Sequence, residues 1–368
     1  MRILFLAALL GALSDASGAL AKPPIPAPPG ADALLDRCAA VERVAAALRI
    51  SGQYLLSDTV DDCGNLLGTQ QYRTSETPWR WASVSKQVVA VAVMQQVEAA
   101  KLALDTPIAA YVPKLRVANA DKVTLRMLLQ HTSGLPNVED GPLDARKEML
   151  VQFRYDSPAA PGISPICLGK AKAEPGARFE YNDCDTEIVG AVLEAVSGVP
   201  LGDLLKKMIF DPAGMTGSRL LPRGEKPWGR PGYYADGRDD RFIDIGRFGA
   251  AGAVGGPPRD LARFDRALMT GRLLKPDSRT EMERGNPKLG YTALAVWSYA
   301  VPLKGCATPQ KLVERRGEIG GVQVRNIIAP EANLALIVFA DRPFDFGEPW
   351  QGKGGTYDLL SAALCSAS

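Results

Sequence analysis

The chain has one histidine in 368 residues, His131, and its six cysteines never fall two to four positions apart. A zinc site built from His and Cys ligands therefore has no raw material here. No G-x-S-x-G elbow is present, which leaves a Ser-His-Asp triad resting on that single histidine. The glycines Gly246, Gly249, Gly252, Gly255 and Gly256 are not followed by Lys-Ser or Lys-Thr, so they read as close loop packing rather than a phosphate cradle. Lys and Arg number 43 against 41 Asp and Glu, a net charge of +2, with no basic block and no interleaving of basic and aromatic residues. Nucleic-acid binding finds no support in that pattern. Past the N-terminus, no stretch reaches the roughly 20 apolar residues that a membrane helix requires.

What is present begins with an export pattern. Arg2, an apolar stretch over 3–13 and Ala19-Leu20-Ala21 before Lys22 read as a signal peptide over 1–21, too short to span a bilayer. Its removal leaves the net charge unchanged, because Arg2 and Asp15 leave together. No cysteine follows the apolar run to carry a lipid anchor. Residues 22–30 (KPPIPAPPG) read as a proline-rich tether. The expectation is a secreted or periplasmic protein with no transmembrane segment once the signal is gone. Six cysteines in such a compartment favour disulfides among Cys38, Cys63, Cys167, Cys184, Cys306 and Cys365, and the sequence alone leaves all fifteen pairings open.

The chemistry concentrates in Trp81-Ala82-Ser83-Val84-Ser85-Lys86, which runs into the apolar segment 87–94. A helix entered near Ser83 sets Ser83 and Lys86 on one face, three residues apart. A serine hydroxyl attacks a carbonyl only when a neighbour takes its proton, and an amine does so only where its charge is disfavoured. The helix N-terminus adds positive potential and free N–H groups. Ser85 is the rival, but its neighbour Lys86 lies about 100° around the helix, so the spacing selects Ser83. S-x-x-K alone is a common pairing on exposed helices; a lysine at the mouth of an apolar run is not.

The secondary-structure pattern is strands at both ends and helices between. An amphipathic helix is expected over 31–50, strands over 53–57 and 66–72 with a turn over 58–65 that carries Cys63, strands over 321–330 and 334–339, and a final helix over 356–367. The run 334–339 is apolar throughout, as in a strand buried on both faces. The expected fold is α/β (α+β): a sheet made from the two termini, covered by the first and last helices, with a helical lobe inserted.

Five further stretches align with Ser83: 104–115 (LDTPIAAYVPKL), 124–136 (TLRMLLQHTSGLP), 179–190 (FEYNDCDTEIVG), 211–216 (DPAGMT) and 251–264 (AGAVGGPPRDLARF). In order and approximate spacing they resemble the serine β-lactamase and penicillin-binding protein family, closest to its class C β-lactamase, D-alanyl-D-alanine carboxypeptidase and esterase branch. The resemblance covers nearly all of 31–368. It implies an antiparallel β-lactamase-like sheet lobe (about 31–82 and 285–368) around a helical lobe (about 83–284). It implies no metal or organic cofactor, and a small-molecule or peptide substrate. His131 then belongs to a structural loop.

The family's Tyr-x-Asn motif falls on Tyr181, Asn182 and Asp183, which makes Tyr181 the partner acid and base. Asp183 departs from the pattern: a carboxylate only accepts where an amide both donates and accepts. Lys-Thr-Gly falls on Arg315, Arg316 and Gly317. A guanidinium can grip a substrate carboxylate but cannot relay protons, and Arg316 lacks the threonine hydroxyl. Asp183, Arg315, Arg316 and Gly317 are expected to bind substrate, and the N–H groups of Ser83 and Glu318 to form the oxyanion hole. Proximity within that fold suggests the pairs Cys38–Cys63, Cys167–Cys184 and Cys306–Cys365. The reading is an exported serine hydrolase acting through an acyl-enzyme on a β-lactam, D-amino-acid peptide or ester. The alternative is a non-catalytic binding or regulatory module, favoured by Asp183 and Arg316.

Overall fold

The computed structural model describes residues 31–68, 76–147, 149–158, 162–226 and 228–365. The expected signal peptide and tether, and part of the expected 66–72 strand, lie outside them. Five longer helices carry the architecture: α1 (Ala31–Ala47), α2 (Val84–Glu98), α3 (Asp183–Ser197), α4 (Pro258–Met269) and α5 (Gly355–Cys365). The strands are β1 (Gly52–Ser57), β2 (Asp62–Leu67), β3 (Trp79–Arg80), β4 (Arg219–Leu220), β5 (Val254–Gly256), β6 (Trp297–Val301), β7 (Gln310–Ile319), β8 (Val322–Ala329) and β9 (Leu334–Ala340). Six of them form one antiparallel sheet in the order β2-β1-β9-β8-β7-β6, so the early hairpin docks on the late strand β9. The short strands β3, β5 and β4 make a second, small sheet.

Side chains alternate across a strand, and here each face meets a different core. Leu334, Leu336 and Val338 of β9 pack under α1 and α5 with Cys38, Val41, Leu359 and Leu360. Ala335, Ile337 and Phe339 turn to the other side, where α2 and α4 lie. The apolar run 334–340 is thus buried on both faces. α2 is apolar around nearly its whole circumference, because it has the sheet on one side and α3 on the other, and residues 84–94 are all buried. Among the described residues no single helix is long and apolar enough to cross a membrane.

The first hairpin is tighter than the sequence pattern suggests. The Asp58 carboxylate takes the N–H groups of Val60 and Asp61, each at 2.7 Å, and closes the turn within four residues. Strand β2 therefore starts at Asp62, and Cys63 sits within it opposite Leu56 rather than in the turn. The disulfides are Cys38–Cys63, tying α1 to β2, Cys167–Cys184 at the first turn of α3, and Cys306–Cys365, tying the β6–β7 connection to α5. These are the three expected pairs.

Candidate active site

The turn into α2 is abrupt. Ala82 holds φ at 47°, a conformation uncommon outside glycine, between the fully buried Trp81 and the half-buried Ser83. Such backbone strain persists only where the surroundings fix it, and here Trp81 Nε1 donates to the Gly256 carbonyl at 3.1 Å. Ser83 follows as N-cap, and one turn on Lys86 points back to it. The lysine is wholly buried, with Nζ donating to Ser83 Oγ at 2.9 Å and to the Ala251 carbonyl at 2.8 Å. Asp183 Oδ1 lies 2.7 Å from the same nitrogen, off the line of a good hydrogen bond but within ion-pair contact. The rival Ser85 is buried and accepts the Val254 N–H at 3.0 Å, a structural task.

Tyr181 reaches Ser83 from the helical lobe, with 2.7 Å between its hydroxyl and Oγ. It immediately precedes Asn182, the N-cap of α3. Asn182 accepts the Cys184 N–H and donates to the carbonyls of Leu135 and Pro136, while Asn137 donates to the Tyr181 carbonyl. The loop after His131 is thereby stitched to the tyrosine. His131 itself lies 4.6 Å from the Tyr181 ring and pairs with Asp185, which Ser133 also contacts. Burial and the charges of Arg315 and Lys86 hold this histidine well below its usual range, and burial pushes Asp185 well above the carboxylate range. The buried pair supports the loop.

Arg315 turns inward toward Ser83 and Tyr181. Along β7, Val313, Arg315 and Gly317 face α2, and Arg315 is buried, with Nε donating to the Ser83 carbonyl at 2.9 Å and Nη2 to the Tyr181 hydroxyl at 2.6 Å. Two of its donors, Nε and Nη2, are thus engaged inside the site. Arg316 points the other way, bonded to Glu348 and Glu314 and stacked near Trp297 and Trp350. Gly317 is where the strand touches Ser83: a Cβ there would stand 2.7 Å from the Trp81 carbonyl and 2.9 Å from Ser83 N. Strand β6 stops pairing at Glu314, which leaves the following stretch of β7 open toward Ser83.

These groups line a cavity of about 730 Å³. Ser83, Tyr181, Asp183, Arg316, Gly317 and Glu318 form its chemical end; Leu143, Met149, Leu150, Phe153, Phe179 and Phe248 form an apolar wall. Three participants escaped sequence reasoning. Ala251 lies in a quoted stretch, but nothing marks its carbonyl. Trp297 sits on a short alternating strand. Glu187 had a signal, one helical turn after Asp183. It accepts the Ala251 N–H at 3.1 Å, and burial pushes its carboxyl up to about 7. Among the described residues no cluster of His, Cys, Asp or Glu is placed to hold a metal ion.

A family model described as Beta-lactamase matches residues 33–349. A putative penicillin-binding protein, PbpX of Bacillus subtilis (strain 168), is 30% identical over 204 residues, 54% of this chain and 48% of its own length. Esterase EstB of Burkholderia gladioli is 30% identical over 158 residues, 38% of each chain. These matches span half or less of the curated relatives' length. The structure of a D-stereospecific amidohydrolase from Streptomyces sp. superposes with a TM-score of 0.71 at 21% identity, covering 90% of this chain and 99% of that one. A D-amino acid amidase from Ochrobactrum anthropi SV3 gives the same TM-score at 21% identity, over 89% and 97%. At that identity the likeness is one of fold.

Proposed function

The chain belongs to the beta-lactamase family of serine hydrolases, and we propose from that premise that Ser83 opens esters or amides of apolar acyl groups through an acyl-enzyme. The observation that carries this is the convergence of Lys86 Nζ and the Tyr181 hydroxyl on one oxygen, Ser83 Oγ, at the end of the cavity. Tyr181, reacting as its phenolate, accepts the Ser83 proton, since Lys86 already donates to Oγ and Arg315 donates to the phenol oxygen. Oγ adds to the carbonyl carbon, and the leaving group departs with the proton. The N–H groups of Ser83 and Glu318 hold the oxyanion, a role supported by the contact between Gly317 and Ser83. Water then releases the acid. The apolar wall favours aliphatic or aromatic acyl groups. Export to the periplasm or beyond fits three disulfides.

A second reading keeps the fold as a binding module without turnover, and the Asp183–Lys86 ion pair is the observation in its favour. Intact-mass spectrometry after a fluorophosphonate and, separately, a penicillin decides between them. An adduct with the first alone marks an esterase-like site, and adducts with both a penicillin-recognising one. With neither, the hydrolase reading is wrong.

A further inference from the structure

The cavity does not end at Ser83. A second cavity of about 220 Å³ lies behind Asp183 and shares Asp183, Phe153 and Phe248 with the first. A third, of about 270 Å³, shares Glu187 and Arg223 with the second and runs on along Gly190, Ala191 and Glu194. Asp183, Glu187, Gly190, Ala191 and Glu194 recur at helical spacing on one face of α3, so the helix lays a row of small and acidic residues along all three spaces.

Beside apolar side chains, the second cavity is lined by Gln152, Ser164, Arg223, Arg247 and the two carboxylates, and Gln152 Nε2 is buried without a hydrogen-bond partner. Glu187 accepts the Ala251 N–H and lines both the second and the third cavity. Buried polar groups of this kind call for water, and 220 Å³ accommodates about seven molecules at liquid density.

An acyl group bound to Ser83 occupies the apolar cavity and displaces water from it, yet the acyl-enzyme is released only when a water reaches its carbonyl. We propose that the cavities along α3 are the route by which hydrolytic water reaches the acyl-enzyme, entering past Asp183, with Glu187 as a positioning residue for that water. This rests on the acyl-enzyme reading above. The water oxygen bonds to the acyl carbon while its proton passes to Tyr181. The bond from that carbon to Ser83 Oγ then breaks, Oγ takes the proton back, and the carboxylic acid departs.

The test separates the two half-reactions. The full chain is mixed with the nitrophenyl ester of an apolar acid; acylation is read from the nitrophenol burst, and loss of the acyl group by time-resolved intact mass. Ala191→Phe plugs the outermost cavity, away from Ser83. Acylation is expected to stay within about twofold while deacylation slows about tenfold or more and acyl-enzyme accumulates. Glu187→Gln, nearly isosteric and thus a safeguard if the larger side chain disturbs folding, is expected to slow deacylation about threefold to tenfold. It should also remove an ionisation near neutrality from the deacylation profile. Parental deacylation in both folded variants overturns the route, and so does an equal loss in both steps, which marks general distortion. If the parent chain forms no acyl-enzyme, the underlying hydrolase reading has failed instead.

Discussion

Asp183 decides how Lys86 is used. Its carboxylate stands 2.7 Å from the ammonium nitrogen, with only 17% of its side chain exposed. An amide at that position could still accept from the lysine without an opposing charge. Asp183→Asn is therefore expected to raise kcat/KM on a neutral ester about threefold to tenfold, by freeing Lys86 to share the Ser83 proton. A fall instead would give Asp183 the proton-accepting part. Arg315 yields the complementary experiment. Because it acts through Tyr181, Arg315→Ala should cost carboxylate-bearing and neutral substrates alike, about 100-fold in kcat with KM little changed, and Arg315→Lys should recover part of that. A loss confined to carboxylate substrates would restore the recognition role that its sequence position suggested. Covalent labelling should vanish with Ser83→Ala and survive Ser85→Ala.

The elements around the site act as spacers of fixed thickness. Gly317 brings β7 against the first turn of α2, and its missing side chain is what allows the approach. In Gly317→Ala the added carbon must push the strand outward, at about 1–3 kcal/mol of overpacking. The N–H groups proposed to hold the oxyanion should move apart as it does, and kcat should fall about 100-fold or more. Breaking Cys167–Cys184 with a Cys167→Ser, Cys184→Ser double variant should cost about 3 kcal/mol in a denaturant titration, the usual value for a loop near its 17-residue separation. It should also loosen the start of α3, where Tyr181 and Asp183 sit. Much of this was legible beforehand, for physical reasons. Ser83 and Lys86 lie within one helical turn, and the period-two pattern of β8 and the unbroken apolar run of β9 report their burial directly. The direction of Arg315 was not legible: successive strand residues face opposite ways, and register alone says which of Arg315 and Arg316 meets Ser83. Strands β3, β4 and β5, two or three residues each, are too short to show a period. The Ala251 carbonyl reaches Lys86 only because the chain turns at Gly249, a long-range event with no local signature.

Across the whole molecule, pH acts through groups that burial has moved. Asp265 sits in the core between α4 and β8, with Asn326 donating to it at 3.0 Å, and its carboxyl is raised to about 8 by burial. The folded state thus holds a proton that the unfolded chain releases near the usual carboxylate value. Stability is greatest below that value and declines as pH climbs toward about 8. Glu187 adds to the decline up to about 7. The melting temperature should drop between pH 5 and 8, and Asp265→Asn should flatten the slope while keeping the bond to Asn326. An unchanged slope would mean that other groups govern it.

The sheet order bears on the timing of activity. Ser83 and Arg315 touch although 232 positions separate them, and the β1–β2 hairpin joins the rest of the sheet only where β1 pairs with β9. A chain emerging from the ribosome N-terminus first carries its nucleophile long before it carries the strand that completes the oxyanion pocket. Contacts so distant in sequence also make folding slow. Nascent chains stalled ahead of β7 should take up no fluorophosphonate, and chains released after β9 should take up one equivalent. Incomplete translation products should therefore carry no reactive serine.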